Sequence, residues 1–479
     1  MNFPFIWYIV LRVVEVEGLF LALPCITALI YREESGWYFA AVMAACLIVG
    51  VVARKFFKPK STVIFAKEGL VAVALCWVVA SLVGALPFTL SGEIPSYVDA
   101  LFEMISGFTT TGSSILTDVE ALSYCARFWR SFAHWLGGMG ILVFVMAIMP
   151  LGGSYSMYLM KAESPGPSVG KLVPKARHTA MLLYQIYIFL TVVMIALLLL
   201  AGMPLFDTLT ITFGTAGTGG FAILNSSCAD YTTLQQIIIT VFMILFGINF
   251  NVYFLIYAKK VKQGLRCEEM RVYLGIIAAA IILISINTRG MFQSLFQTVQ
   301  QVAFQVASII TTTGYATTNF DMWPEFSKMI LVLLMFIGAC AGSTGGGIKV
   351  SRFIILVKSV RNELFYALHP RSVHNIELEG HKVDKSMLCS IDRFFFVYIM
   401  IFALSVLIVS LDNFDFMTNF TAVATTLNNV GPGLSLVGPT GNFHMFSDLS
   451  KFVMMFDMLA GRLEVIPMLV LFSPFMWKK

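Results

Sequence analysis

DALFEMISGFTTTG, from Asp99 to Gly112, carries a short apolar stretch into a strip of small residues that ends in glycine. A longer apolar stretch follows, and the arrangement recurs three more times along the chain. The strips are TTTG (Thr109 to Gly112), GTGG (Gly217 to Gly220), TTTG (Thr311 to Gly314) and NNVG (Asn428 to Gly431). The second holds two candidate glycines, Gly219 and Gly220. Asp99 lies thirteen residues before Gly112 and Asp207 thirteen before Gly220, so the repeat register selects Gly220. One such strip on its own is an ordinary turn or a helix-packing face. Four in register read as four copies of a helix, pore-helix, filter-loop, helix unit around an axis, the organisation of an ion pore.

Composition points to lipid independently. The 479 residues are 58% hydrophobic and 12% charged, with a mean hydropathy of +0.83, which leaves too little polar surface for a soluble protein. The fold class expected is an all-α integral membrane protein. Ten apolar spans are drawn at 5–30, 37–53, 68–88, 129–149, 179–201, 234–257, 272–286, 328–356, 393–411 and 452–472, most near or above the ~20 residues that cross hydrocarbon. Four leftover segments, near 97–108, 206–216, 296–310 and 416–427, are too short to cross, and each leads into a strip as a re-entrant pore helix does. The repeats are accordingly placed at 67–177, 178–271, 272–391 and 392–479, after a two-helix extension at 1–66.

Basic residues set the expected orientation. Arg54 to Lys60, the loop with Lys161, Lys171, Lys175 and Arg177, the run Lys259, Lys260, Lys262 and Arg266, the loop from Arg352 to Arg393, and Lys478 and Lys479 all fall on one side of a ten-span arrangement. By the positive-inside rule that side is cytoplasmic, as are both termini. The net charge of +5 is explained by these loops without a nucleic-acid partner. Met1 to Ile30 has no basic leader region, and Arg12, Glu15 and Glu17 interrupt it, so it reads as a retained span. Arg12 and Glu15, one helical turn apart, pair or serve a function. The eight cysteines contain no CxxC and indicate no metal site. Cys125 and Cys228 both fall in expected outer loops, where a bridge between them is open.

A filter replaces the hydration shell of a cation with oxygen ligands, so it needs inward carbonyls and a backbone free of side-chain interference. The strips carry no Asp or Glu ring, which favours carbonyl coordination of a monovalent ion over a carboxylate-lined divalent site. The candidate ligands are Thr110, Thr111 and Gly112; Thr218, Gly219 and Gly220; Thr312, Thr313 and Gly314; and Asn429, Val430 and Gly431. A further glycine-rich element, GACAGSTGGGIK (Gly338 to Lys349), resembles a phosphate loop but has Ile348 where the lysine belongs. Gly342, Ser343, Thr344, Gly345, Gly346 and Gly347 break the apolar span around them, either as a gate below the filter or as a close-packing kink. Two cations stand nearby. Arg462 faces the pore or pairs with Glu464, and Lys349 lies at the axis or snorkels toward the cytoplasm.

FEMISGFTTTG (Phe102 to Gly112), WLGGMGI (Trp135 to Ile141), SPGP (Ser164 to Pro167), GGF (Gly219 to Phe221), TTTGY (Thr311 to Tyr315), CAGSTGGGIKV (Cys340 to Val350), TLNNVGPGL (Thr426 to Leu434) and GRLE (Gly461 to Glu464) together resemble the Trk/Ktr/HKT superfamily of potassium transporters, in particular its bacterial TrkH/TrkG branch. The resemblance covers nearly the whole chain. It implies four repeats folded like a potassium-channel subunit, an extra N-terminal helix pair, and a homodimer with one pore per protomer in the bacterial cytoplasmic membrane. It implies that Gly112, Gly220, Gly314 and Gly431 are filter glycines, that Gly342 to Gly347 form a gating loop, and that Arg462 is the family's arginine near the pore. It also implies a cytosolic TrkA-like ring of nucleotide-binding regulator domains; the present chain has no dinucleotide fingerprint after a strand and no cofactor of its own. Serine at the first filter glycine accompanies sodium permeation in plant members of the family, so glycine at 112 points to potassium as the bound substrate. The second strip, GTAGTGGF (Gly214 to Phe221), is richer in glycine than the usual pattern.

Three function classes are weighed. A gated, gradient-driven potassium pore fits the strips and the glycine break. A proton- or sodium-coupled symporter is the alternative; it predicts ionisable residues at mid-membrane and broken helices in symmetric halves, whereas the sequence clearly breaks only one span. An enzyme ranks last, because His134, His178 and the other histidines are dispersed with no nucleophile and base together.

Overall fold

A computed structural model describes residues 2–56, 66–140, 176–369 and 375–474. In chain order, α1 (Phe3–Phe20), α2 (Ala22–Tyr31) and α3 (Gly36–Phe56) precede α4 (Ala66–Ser91), α5 (Tyr97–Phe108) and α6 (Tyr124–Gly138). Next come α7 (Ala176–Leu200), α8 (Leu205–Gly217), α9 (Thr233–Phe246), α10 (Phe250–Tyr257) and α11 (Val261–Leu265). Then follow α12 (Glu268–Asn287), α13 (Leu295–Ile310), α14 (Glu325–Ile337) and α15 (Val350–Leu368), a hairpin of β1 (Glu377–Leu378) and β2 (His381–Lys382), and α16 (Lys385–Val409), α17 (Phe416–Asn428), α18 (Asp448–Arg462) and α19 (Ile466–Phe472).

One order of elements occurs four times: a long apolar helix (α4, α7, α12, α16), a short helix (α5, α8, α13, α17), a glycine strip, and a further helix (α6, α9, α14, α18). The short helices have 12, 13, 16 and 13 residues. At about 1.5 Å per residue they cannot cross a core about 30 Å thick. Ser96, Ser294 and Asp415 cap α5, α13 and α17 by accepting a backbone N–H, and Pro204 opens α8. The Thr418 hydroxyl donates to the Asp415 carboxylate and holds it below the usual carboxylate range. The C-terminal halves of these helices are wholly surrounded by protein, from Phe102 to Phe108 and from Thr421 to Asn428, as irregular backbone at membrane depth requires.

Among the described residues, six helical segments are long and apolar enough to cross a membrane: Phe3–Tyr31, Gly36–Ala53, Lys67–Ser91, Met181–Leu200, Glu268–Asn287 and Lys385–Asp412. The stretch expected at 234–257 is bent by 89° between α9 and α10. That expected at 328–356 is interrupted between α14 and α15, and that at 452–472 between α18 and α19. Three stretches are therefore broken where the sequence reading had one. At Gly247 to Asn249 the freed backbone bonds to the stretch between α14 and α15, and at Glu464 and Val465 the chain turns through positive φ (62° and 64°), with Val465 N donating to Ala460 O and Ile466 N to Glu464 O. The remainder of the 129–149 span beyond Gly140, SPGP, and the lysines at 58, 60, 161, 171, 175, 478 and 479 lie outside the described residues.

The N-terminal helices pack through small residues: a Cβ on Gly18 would fall against Cys46, and one on Gly50 against Glu15. Arg12 does pair with Glu15. On α6, Phe128, Phe132 and Trp135 pack on Phe213 of α8, and Trp135 stacks on Tyr187 of α7 with centroids 5.4 Å apart. Cys125 and Cys228 are buried free thiols. Cys125 begins α6, 3.3 Å from the Ser35 hydroxyl and 3.2 Å from that of Ser123, so the bridge left open by the sequence is not formed.

Candidate functional site

The four strips share one backbone geometry. φ is positive at Thr110 (57°) and Gly112 (82°), at Thr218 (55°) and Gly220 (74°), at Thr312 (58°) and Gly314 (87°), and at Asn429 (55°) and Gly431 (102°). The residue between each pair is not left-handed, and this alternation turns successive carbonyls toward one side. The threonines and the asparagine accept the αL strain that non-glycine residues usually avoid.

The glycines report how the strips meet. A Cβ on Gly112 would fall on the Gly219 carbonyl, one on Gly220 on the Thr313 carbonyl, and one on Gly314 on the Val430 carbonyl. On Gly431 it would lie 3.0 Å from the Thr111 carbonyl. First strip to second, second to third, third to fourth and fourth back to first: the sequence of contacts closes a ring. Each glycine Cα backs onto the carbonyl that precedes the glycine of the next strip. Direct hydrogen bonds reinforce the closure between fourth and first, with Ser113 Oγ donating to Gly431 O (3.1 Å) and Asn429 Nδ2 to Thr111 Oγ1 (2.9 Å). Behind the strips, Thr109 and Thr111 share a hydroxyl hydrogen bond of 2.8 Å, and Thr311 and Thr313 one of 2.7 Å. A closed ring of backbone oxygens offers a cation hard, neutral ligands.

Three ionisable residues that the sequence reading gave no role brace this ring. Glu103 of α5 accepts from Arg130 Nε (2.8 Å) and Nη2 (2.6 Å) of α6, from Ser114 Oγ (2.9 Å), and from the backbone N–H of Ile115 (3.0 Å). Arg130 lies over the Phe221 ring, 4.1 Å from its centroid, just past the second strip. His134 Nδ1 lies 2.7 Å from Gly107 O, while its Nε2 accepts from Phe221 N (3.2 Å). That pair of partners puts the imidazole proton on Nδ1. The available signal was the acid Glu103 deep in an apolar pore helix and Arg130 in an apolar span, because intramembrane charges are rarely unpaired.

The glycine-rich segment from Gly338 to Lys349 packs against the strips. Gly346 N donates to Thr312 Oγ1 (2.6 Å), and Cβ atoms on Gly345 and Gly346 would meet the carbonyls of Thr311 and Asn428. Thr344 Oγ1 donates to Phe246 O (3.3 Å), Ser343 Oγ to Cys340 O (2.6 Å), and Gly342 O accepts from Phe250 N (3.0 Å). Gly347 packs on Gly338 at the neck of the segment. The α9–α10 bend is thus the seat of the segment: Gly247 O accepts from Cys340 N (3.1 Å), and Phe250 N is free to reach Gly342.

Arg462 spans from this segment to the end of α6, donating to Thr344 O (2.8 Å) and to the carbonyls of Gly137 and Gly138. Glu464 takes its salt bridge from Arg352. Lys349 is buried at φ 83° and turns its ammonium back onto Gly345 O in place of snorkelling.

The family model TrkH, cation transport protein, matches residues 36–479. The chain is 36% identical over 465 residues to the Trk system potassium uptake protein TrkH of Salmonella typhimurium, covering 95% of each chain. It is 32% identical over 461 residues to the Trk system potassium uptake protein TrkG of Escherichia coli, covering 95% of this chain and 94% of that one. The crystal structure of the potassium transporter TrkH from Vibrio parahaemolyticus matches with a TM-score of 0.90 at 30% identity, over 100% of both chains.

Proposed function

Because the chain belongs to the TrkH family of cation transport proteins, we propose that it takes up potassium through a gated, gradient-driven pore whose filter is the ring of four strips. The observation that carries this reading is the closure of that ring through the backs of Gly112, Gly220, Gly314 and Gly431. The ligands are the carbonyls of Thr110 to Gly112, Thr218 to Gly220, Thr312 to Gly314 and Asn429 to Gly431. The C-terminal ends of α5, α8, α13 and α17 all run into the ring, so four negative helix-dipole ends favour a cation there. The four units are read as pseudo-symmetric, potassium-channel-like repeats at 67–177, 178–271, 272–391 and 392–479. The pore is read as opening outward in a cytoplasmic membrane, with both termini inside. The working assembly is a homodimer regulated by a TrkA-like nucleotide-binding ring. Gly342 to Gly347 serve as the gate, held across the conduction path by Arg462.

Potassium and sodium flux into proteoliposomes holding the protein alone, driven by an imposed voltage, tests this reading. Voltage-driven potassium entry above sodium entry is expected. Flux that appears only with a proton or sodium gradient would move the protein to the coupled symporters. Deleting Gly345 to Gly347 is expected to raise the regulator-free potassium leak by about tenfold, the scale of a shift of ~1.4 kcal/mol in a two-state gate. A leak equal to that of the parent would remove the gating role.

A further inference from the structure

We propose that Glu269 is the latch that fixes the neck of the glycine-rich segment, and that the hairpin β1–β2 is the lever that acts on this latch through Glu379. The inference rests on the reading of that segment as a gate. Glu269 stands in the first turn of α12 and is almost fully buried, at 4% exposure. Its Oε1 accepts from Ala341 N (2.7 Å) and from Ser351 N (3.1 Å), and its Oε2 accepts from Asn249 Nδ2 (3.1 Å). Ala341 immediately precedes Gly342 and Ser351 follows Gly347 by four residues, so the two bracket the stretch Gly342 to Gly347. A single carboxylate oxygen therefore staples its two ends together, while the other carboxylate oxygen holds Asn249 at the α9–α10 bend beneath it. Charge-assisted hydrogen bonds of this kind are roughly twice as strong as neutral ones. Any movement that parts the two ends must first break them.

The same helix turn is held from outside. Cys267, at the N-cap of α12, makes no side-chain cap. Glu379 supplies one from the hairpin, accepting from Glu269 N (3.0 Å) and from Cys267 Sγ (3.1 Å). It does so from the first position of a two-residue turn, with φ of 54° at Glu379 and 74° at Gly380. Such turns prefer Asn, Asp or Gly at that place, so an αL glutamate is explained by the bond it makes. Lys358 of α15 ties the remaining corner, with Nζ 2.5 Å from Glu268 and donating to Glu377 O at 2.8 Å. The hairpin, the start of α12 and the helix that leaves the segment thus form one braced unit. Displacing the hairpin withdraws Glu379, loosens the first turn of α12 and moves the Glu269 carboxylate off the neck.

The test is voltage-driven potassium and sodium flux in proteoliposomes without any regulator, for the parent, the variant lacking Gly345 to Gly347, Glu269→Ala, Glu269→Gln, Glu379→Ala and the Glu269→Ala/Glu379→Ala pair. Glu269→Ala is expected to raise potassium flux about tenfold, as loss of a charged hydrogen bond implies, with the potassium-to-sodium ratio unchanged. Glu269→Gln, which keeps an acceptor for the two N–H groups, and Glu379→Ala should each give a smaller rise of about threefold. The double variant should not exceed Glu269→Ala, because lever and latch act in series. Should Glu269→Ala fail to fold, Glu379→Ala on the largely exposed hairpin carries the test. Glu269 and Glu379 variants that match the parent while the shortened variant leaks would overturn the latch alone. Raised flux with lost selectivity would overturn it too, by showing a general loosening. No voltage-driven flux in the parent or the shortened variant would take down the pore reading and the latch with it.

Discussion

Gly112→Ser is expected to cut the preference for potassium over sodium by about tenfold, with the protein still folded. The residue sits at φ 82°, where any L side chain is strained, at a cost of about 1–3 kcal/mol. Its new Cβ would also fall on the Gly219 carbonyl, so that carbonyl must turn away or the first strip must retreat. Either movement opens the ring at one ligand. A ring that is slightly too wide or one oxygen short no longer matches the dehydration cost of the larger ion, and about 1.4 kcal/mol of lost discrimination is tenfold. The position within the ring gives the prediction a gradient. The Cβ of Gly431→Ser would stand 3.0 Å from the Thr111 carbonyl, the least crowded of the four, so its ratio should fall less than that of Gly112→Ser. Ion-flux ratios for the two variants check this. Equal ratios, or an unchanged ratio at Gly112→Ser, would show that packing between strips does not set selectivity.

Much of this architecture was legible because it repeats. Length separates α5, α8, α13 and α17 from spanning helices, and the glycine strips follow them without interruption. The choice of Gly220 over Gly219 came from counting back to Asp207, and the positive φ at Thr218 and Gly220 repeats that of the other strips. The break at Gly338 to Lys349 was visible because so many small residues cannot hold a helix.

The other two breaks were hidden, one because it depends on partners distant in sequence and one because ordinary residues, Glu464 and Val465, take positive φ there. Gly247 to Asn249 is unremarkable in composition, and it bends because the glycine-rich segment supplies Gly342 O and Cys340 N to the backbone groups that a straight helix would have paired. The pairing of Arg462 with Glu464 was open on proximity alone. Residues two apart on a helix do not face each other, and the structure sends Arg462 to Thr344 and Glu464 to Arg352. The hairpin latch gives no sequence signal at all, since Glu269 and Glu379 are ordinary acids at the edge of basic loops.

Glu103→Ala should produce the largest loss of stability of any single substitution considered. Glu103 and Arg130 are 0% and 1% exposed, and their side chains lie 2.6 Å apart. Removing one partner leaves the guanidinium buried without a counter-charge, which costs about 3–5 kcal/mol. The same change also releases Ser114 and Ile115, which Glu103 holds just past the first strip. A clear drop in the thermal midpoint of the detergent-solubilised protein is expected, with Glu103→Gln falling less because its amide oxygen still accepts from Ile115 N. Replacing both residues, as Glu103→Leu with Arg130→Met, should recover much of the stability, because an apolar pair of similar volume needs no counter-charge. Selectivity should not return with it. The pair joins the exit of the first strip to Phe221 and Ala222 at the exit of the second, and leucine and methionine supply no hydrogen bond to either. A Glu103→Ala midpoint equal to that of the parent would mean that water reaches Arg130. A double variant with parental selectivity would mean that the ring keeps its dimensions without this brace.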